Sequence, residues 1–356
     1  MRVAMTGPRT SRGFQKAPRL HAGDRLAAVT LSWGGPGEIP HRYEVGKRQL
    51  EQAFDVSLVE MPHTLASPDF LAEHPQARVD DLHTAVADPE IAGIISTIGG
   101  DDSIRLLPLI DLELVAAHPK IFLGYSDATT TQMAFLKAGV VCFYGPSIMA
   151  GFGENEGLLP YLEDGVRRML FKPEAPLEWP ENSDGWTVEF VDWYDPENQS
   201  RSRVMRRATG WRWHGGESAE GPLVVGCLEV LDWLRGTACW PDLEGAVLAI
   251  ETSEEAPTPD AVQRFLRSLA AMGDLYRIAA LLVGRPGGAD LPVEDHPRYD
   301  DAVISVVRGD CELDRIPIAT GLDFGHTDPM WTLPQGVRVR VDAEAGTIAF
   351  LESGVA

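Results

Sequence analysis

Basic residues are scarce in this chain of 356 residues: 31 Lys and Arg face 53 Asp and Glu, a formal net charge of −22. A surface of that sign repels a phosphate backbone and an anionic bilayer, which excludes general nucleic-acid binding and electrostatic membrane anchoring. Any anionic ligand has to be met by local donors. Cysteine is scarce too. Its 4 copies, Cys142, Cys227, Cys239 and Cys311, form no CxxC pair, so neither a zinc knuckle nor a disulfide framework is indicated and buried free thiols are expected. No apolar run approaches the roughly 18 residues of a membrane helix, and no secretion-signal core opens the chain. The expectation is a cytoplasmic protein with neither nucleic acid nor membrane as partner. Residues 1–22 carry Arg2, Arg9, Arg12, Lys16 and Arg19 and no acid, and read as a disordered basic leader.

What is present is an ordinary globular composition, 44% apolar and 24% charged, in a chain long enough for two domains. From Leu26 short β-branched runs alternate with amphipathic segments, the pattern of crossover units and a parallel sheet. Strands are expected at 26–32, 56–60, 93–98, 120–124 and 140–143, with helices at 42–54, 78–87, 102–110 and 128–138. Residues 23–170 therefore read as an α/β domain with a parallel sheet of Rossmann or flavodoxin type. Over 171–221 the periodicity fails, while Pro173, Pro176, Pro180 and Pro196 gather beside Trp179, Trp186, Trp193, Trp211 and Trp213. These rings either cover a seam between domains or offer a face to a flat ligand. The alternation resumes over 222–356, with strands expected at 246–250, 278–284, 316–320, 337–341 and 347–351 and a helix at 260–271. This part reads as a second α/β domain with a β-rich, swivelling-type core.

Several strand ends carry residues with chemical potential. Gly34-Gly35-Pro36-Gly37 lacks the G-x-G-x-x-G pattern and Pro36 removes an amide donor, so it reads as a glycine turn. Gly99-Gly100-Asp101-Asp102-Ser103 could hold an anion or oxyanion on its amides, or Asp102 and Ser103 could simply cap a helix. In Gly124-Tyr125-Ser126-Asp127-Ala128 a serine stands on a strand-to-helix turn with the next amide free, a nucleophile geometry that competes with a plain helix cap. It departs from G-x-S-x-G because Ala128 replaces the second glycine. A serine nucleophile needs a base, and His326 differs from the other histidines in following a strand-and-turn segment, 317–325. A carboxylate should then orient the imidazole. Glu251, at the end of the apolar run 246–250, is the candidate, with Glu254 and Glu255 as competitors.

Together these segments, with Tyr144-Gly145-Pro146 and the run GCLEVLDWLRG at 226–236, stand in the order and approximate spacing of the LD-carboxypeptidase family, which the chain resembles from about Asp24 to Leu351. The segment Glu251-Thr252-Ser253-Glu254-Glu255 and the Trp-rich connector look most like the microcin C immunity subgroup, whose members cleave toxic acyl-adenylate analogues. The resemblance implies a serine peptidase with Ser126 as nucleophile, Glu251 as acid and His326 as base, and with the amides of Gly100 and Asp127 as oxyanion donors. It implies no metal and no organic cofactor, and a homodimer. An aromatic residue of the connector stacks on adenine in that subgroup; Trp193 is the first choice by spacing, followed by Trp186 and Trp211. Arg285, after the expected strand 278–284, could meet a substrate carboxylate or phosphate, or be a solvated arginine. Many relatives read Gly-Gly-Asn-Leu where this chain has Val225-Gly226-Cys227-Leu228, which alters local substrate contacts. The function implied is a hydrolase of peptidyl- or aminoacyl-adenylates that confers self-immunity or detoxification. A murein tetrapeptide LD-carboxypeptidase and a non-catalytic small-ligand-binding protein are the alternatives.

Overall fold

The structure is a computed structural model that describes residues 13–356. Its first sheet has six strands in the order Leu333–Gln335, Cys142–Tyr144, Ile121–Gly124, Gly93–Ser96, Arg25–Val29 and Ser57–Glu60. All neighbours run parallel except Leu333–Gln335, which joins antiparallel to Cys142–Tyr144. The central strands GIIS and IFLG are buried along their whole length, the continuous apolar run of a sheet covered on both faces. Helices Pro40–Phe54 and Pro75–Ala87 each begin on a proline, whose missing N–H costs nothing in a first turn.

The second sheet has eight strands. Ala219–Cys227, Val247–Glu251, Ala280–Gly284 and Ile318–Leu322 form its parallel centre. Arg338–Asp342, Thr347–Phe350 and Leu177–Glu178 continue it antiparallel on one side, and Arg212–Trp213 on the other, giving a second, curled sheet. Helix Pro259–Met272 covers it with Val262, Phe265, Leu266 and Leu269; Thr258 caps its start and Gly273, at φ 83°, ends it. The expected fold class, a parallel α/β sheet followed by a second α/β unit rich in strands, is the one found.

The two halves are sewn together at the seam. Leu333–Gln335 comes from the second half yet completes the first sheet. The buried Gln335 accepts from the Val225 amide at 2.9 Å and donates to Gln132 Oε1 at 3.0 Å. Gln132 in turn donates to the carbonyls of Gly124 and Phe143, both at 2.7 Å. Helix Thr129–Lys137 lies in this seam, which is why Thr129 through Phe135 are all buried.

Two expectations need correction, and two elements went unforeseen. Residues 102–110 form a 3-10 helix, Ser103–Leu109, because Pro108 sits inside it and withholds a donor an α-helix needs. Helix His296–Ile304 and the long strand Ala219–Cys227 were not expected; Gly221, Pro222 and Gly226 interrupt the apolar pattern of the latter. Of the supposed disordered leader, residues 1–12 lie outside the described residues, but residues 13–22 are packed. Ala17 and Leu20 are buried, the Leu20 amide donates to Leu170 O at 2.8 Å, and Ala17 O accepts from the Ala356 amide at 2.8 Å.

Candidate active site

Strand Ile121–Gly124 delivers Tyr125 in extended form, and the chain then turns sharply at Ser126, whose φ is +60°. A serine in the left-handed region costs on the order of 1 kcal/mol, which the surroundings must hold in place. They do so by close approach. A Cβ on Gly124 would come within 2.9 Å of both Ala128 Cβ and Ser96 Cβ, so the tight side of the elbow is Gly124 against Ala128. The Ser126 amide donates to the Tyr144 hydroxyl at 3.2 Å.

The glycine turn at 99–101 lies against this elbow. A Cβ on Gly99 would lie 2.9 Å from Ser126 Oγ and 3.5 Å from the Asp127 amide, and Gly100 has φ +145°. Among the described residues no group accepts from the Gly100 N–H. The buried Asp127 carboxylate accepts from the amides of Asp102 and Ser103, at 3.1 and 2.8 Å, and from the Ser103 hydroxyl at 2.5 Å. It therefore fastens the glycine turn to the serine turn. Burial pushes this carboxyl up from its ordinary range, against the pull of those hydrogen bonds.

Glu251 is the last residue of strand Val247–Glu251 and is wholly buried. Its Oε2 accepts from His326 Nδ1 at 2.8 Å and from the His326 amide at 3.2 Å, and its Oε1 accepts from the Tyr144 hydroxyl. Gly325, at φ +89°, precedes His326 because a Cβ there would run into the Glu251 carboxylate. The imidazole rests beside the Tyr125 ring, centroids 4.9 Å apart.

The three side chains singled out in the sequence thus share one locus, with Tyr144 as the link. The structure joins His326 to Glu251 directly and Ser126 to Glu251 through Tyr144. Among the described residues no hydrogen bond joins Ser126 to His326, and His326 Nε2 lies 3.0 Å from Glu254 Oε2. Burial would lower the pKa of the imidazole, but Glu251 and Glu254 outweigh it and hold His326 well above the usual range. The same contact brings the Glu254 carboxyl down to about 2.

Cys227 also reaches this locus: Cys227, Glu251 and His326 bring one ligand atom each within 4.8 Å of one another. A zinc ion could use such a set, but it would consume the two groups that bond each other. Burial, with Glu251 and Glu229 beside it, drives the thiol well up and keeps it protonated.

The expected substrate contacts divide. Trp193 is half-buried beneath the Arg42 guanidinium, 4.5 Å from its ring centroid, and its carbonyl bonds His41 Nε2 at 2.7 Å. Trp186 is 1% exposed and covered by the guanidiniums of Arg206 and Arg285, 4.9 and 4.7 Å away. Trp211 donates to Asp323 at 2.8 Å and packs edge-on against Trp179. Trp186 and Trp211 are therefore buried within the connector and second half and are not ligand platforms. Arg285 is corrected as well: it is buried and paired with Asp323 at 2.8 Å, neither solvated nor free for a substrate anion.

Sequence reasoning missed Tyr144 as a working residue, although its place at the end of a central strand, Cys142–Tyr144, is a usable signal. It also missed Trp33, whose amide donates to Gly99 O at 3.2 Å, and Tyr194, 60% exposed. Both side chains bond Glu38, at 2.9 and 2.7 Å.

Residues 26–145 match the LD-carboxypeptidase N-terminal domain and residues 220–341 the LD-carboxypeptidase C-terminal domain. The chain belongs to the LD-carboxypeptidase family, which makes it a serine peptidase or hydrolase. It is 28% identical over 277 residues to the microcin C7 self-immunity protein of Escherichia coli, covering 77% of this chain and 78% of that one. Among solved structures it is similar to an immunity-like protein of Streptococcus pneumoniae in complex with AMP, with 31% identity, a TM-score of 0.82, and coverage of 92% of this chain and 98% of that one. It is also similar to the microcin C7 self-immunity protein in complex with aspartyl sulfamoyl adenosine, with 26% identity, a TM-score of 0.83, and coverage of 96% and 100%.

Proposed function

We propose that this protein is a serine hydrolase that cleaves the amide bond of peptidyl- or aminoacyl-adenylate compounds through an acyl-enzyme, and so detoxifies them. The observation that carries the reading is the pairing of His326 Nδ1 with the buried Glu251, 2.8 Å apart, at the edge of a strained turn that presents Ser126. Glu251 fixes the imidazole with Nε2 outward and stabilises its cation. His326, once neutral, takes the Ser126 proton as Oγ attacks the carbonyl. The amides of Gly100 and Asp127 receive the oxyanion; one such donor is worth on the order of 100-fold in rate or more. His326 then protonates the departing nitrogen, and water repeats the sequence on the acyl-enzyme. Two similar structures hold AMP and aspartyl sulfamoyl adenosine, which supports a nucleotide-bearing substrate. Trp193, Trp33 and Tyr194 are candidates to meet a purine, whereas Trp186 and Trp211 are buried.

The test is hydrolysis of aspartyl sulfamoyl adenosine, followed by chromatography, with a murein tetrapeptide run in parallel. Wild type should consume the nucleoside compound and Ser126→Ala should not. Release of the terminal residue from the murein peptide alone would transfer the protein to cell-wall recycling. Undiminished hydrolysis by Ser126→Ala would remove the nucleophile.

A further inference from the structure

The nitrogen that the reaction needs is already taken. His326 Nε2 pairs with Glu254 Oε2 at 3.0 Å, while Nδ1 pairs with Glu251 on the other side of the ring. The two carboxylates differ in kind. The Glu251 side chain is 0% exposed and that of Glu254 is 73% exposed. Glu254 stands in the turn between strand Val247–Glu251 and helix Pro259–Met272, and His326 is the one side-chain partner its carboxylate has among the described residues. Its neighbour Ser253 is anchored: the amide and hydroxyl donate to Glu229 at 3.1 and 2.5 Å. The backbone of the turn is thus held while the Glu254 side chain is free to rotate into solvent.

Building on the hydrolase reading above, we infer that Glu254 is a positioning residue that gates the base. It occupies His326 Nε2 in the substrate-free enzyme, and entering substrate turns it outward, freeing that nitrogen for the Ser126 hydroxyl. In the gated state the imidazole is a cation shared by two carboxylates. On opening, Glu254 leaves, the Nε2 proton passes to solvent, and the neutral ring keeps its Nδ1 proton on Glu251. Only then can it accept the proton of Ser126.

The groups facing the ring leave Glu254 as the removable charge. Tyr125 from the elbow, Tyr144 behind Glu251 and Cys227 from the neighbouring strand are all kept neutral by burial. Asp328, two residues along, is paired with Arg203 at 2.7 Å. Glu251 cannot leave without exposing the core. An affinity toll follows, because substrate must displace an ion pair before it is productively bound.

The test compares wild type with Glu254→Gln and Glu254→Ala across pH, using aspartyl sulfamoyl adenosine. The acidic limb of kcat/KM should move to lower pH by about one unit in both variants, raising kcat/KM at pH 6 about tenfold over wild type. A purely structural role would instead lower the rate at every pH without moving the limb. A second measurement needs no turnover: in the Ser126→Ala protein, the 15N resonances of His326 should keep their protonated position to higher pH than they do when Glu254→Gln is added to it. An unmoved limb together with an unmoved titration overturns the gate, and if Ser126→Ala is inactive the hydrolase reading survives that failure. Full activity of Ser126→Ala would overturn both.

Discussion

Ser126 keeps a backbone angle, φ +60°, that a side chain resists and glycine does not. Two replacements that both delete the hydroxyl should therefore differ in stability. Ser126→Gly is expected to be more stable than Ser126→Ala by about 1 kcal/mol, read from urea unfolding midpoints, and equal midpoints would show that the turn carries no strain. Tyr144 donates to Glu251 and accepts from the Ser126 amide. Tyr144→Phe should lower kcat about 10- to 100-fold, the scale of a lost hydrogen bond to a charged group. A variant at wild-type rate would make Tyr144 a packing residue. Ser126, Glu251 and His326 could be picked out in the sequence because each stands at the end of an apolar strand or strand-and-turn segment, a position that local pattern reveals. Tyr144 could not, because what its hydroxyl touches is decided by strands far apart in the chain. The strand-end position also ranks Glu251 above its competitor Glu254, and the short step from strand end into turn separates a wholly buried carboxylate from one in solvent.

At the level of elements, the crossover alternation was legible because buried parallel strands read as unbroken apolar runs. The role of the tryptophans was not. Trp186 and Trp193 both stand in the connector, yet one is buried among Arg206, Arg285 and His296 and the other lies under Arg42 of the first half, a distinction made only by tertiary packing. The helix His296–Ile304 shows a further consequence of packing. His296 opens it, 4% exposed, where burial and the guanidiniums of Arg212, Arg285 and Arg206 bring the imidazole down to about 4. Its native pKa lies below the unfolded value near 6.5, so the unfolded chain binds the proton first. The stabilisation it gives is complete above pH 6.5 and is lost as pH falls toward 4, by on the order of 3 kcal/mol. Urea unfolding at pH 7 and pH 4.5 should show this decline, and His296→Gln should flatten it. Gly99 makes an element-scale test of the oxyanion turn. Gly99→Ala puts a methyl 2.9 Å from both Ser126 Oγ and Ser126 Cβ, so the turn has to shift and kcat should fall at least tenfold.

At the scale of the whole molecule the two α/β stretches are interlocked. Two α/β stretches joined by an irregular connector read as two domains, and the family match divides in the same way. The structure instead lends strand Leu333–Gln335 to the first sheet and threads a buried amide relay from Gln335 through Gln132 to Gly124. This interleaving was hidden because a three-residue strand in LPQ carries no periodicity to detect. Calorimetry should accordingly show one cooperative transition, and residues 23–170 produced alone should fail to fold; two resolved transitions would make the halves independent.

The occupied nitrogen of His326 has a practical consequence for how such an enzyme is found. On the proposed gate the hydroxyl at 126 has no base free to take its proton until substrate enters, so fluorophosphonate reagents, which rely on a serine already primed, should label this protein slowly even when it turns over its own substrate well. A proteome-wide survey with those reagents would leave it out of the tally of active serine enzymes. Prior loading with a nucleotide fragment that pushes the acidic side chain aside should bring the label back.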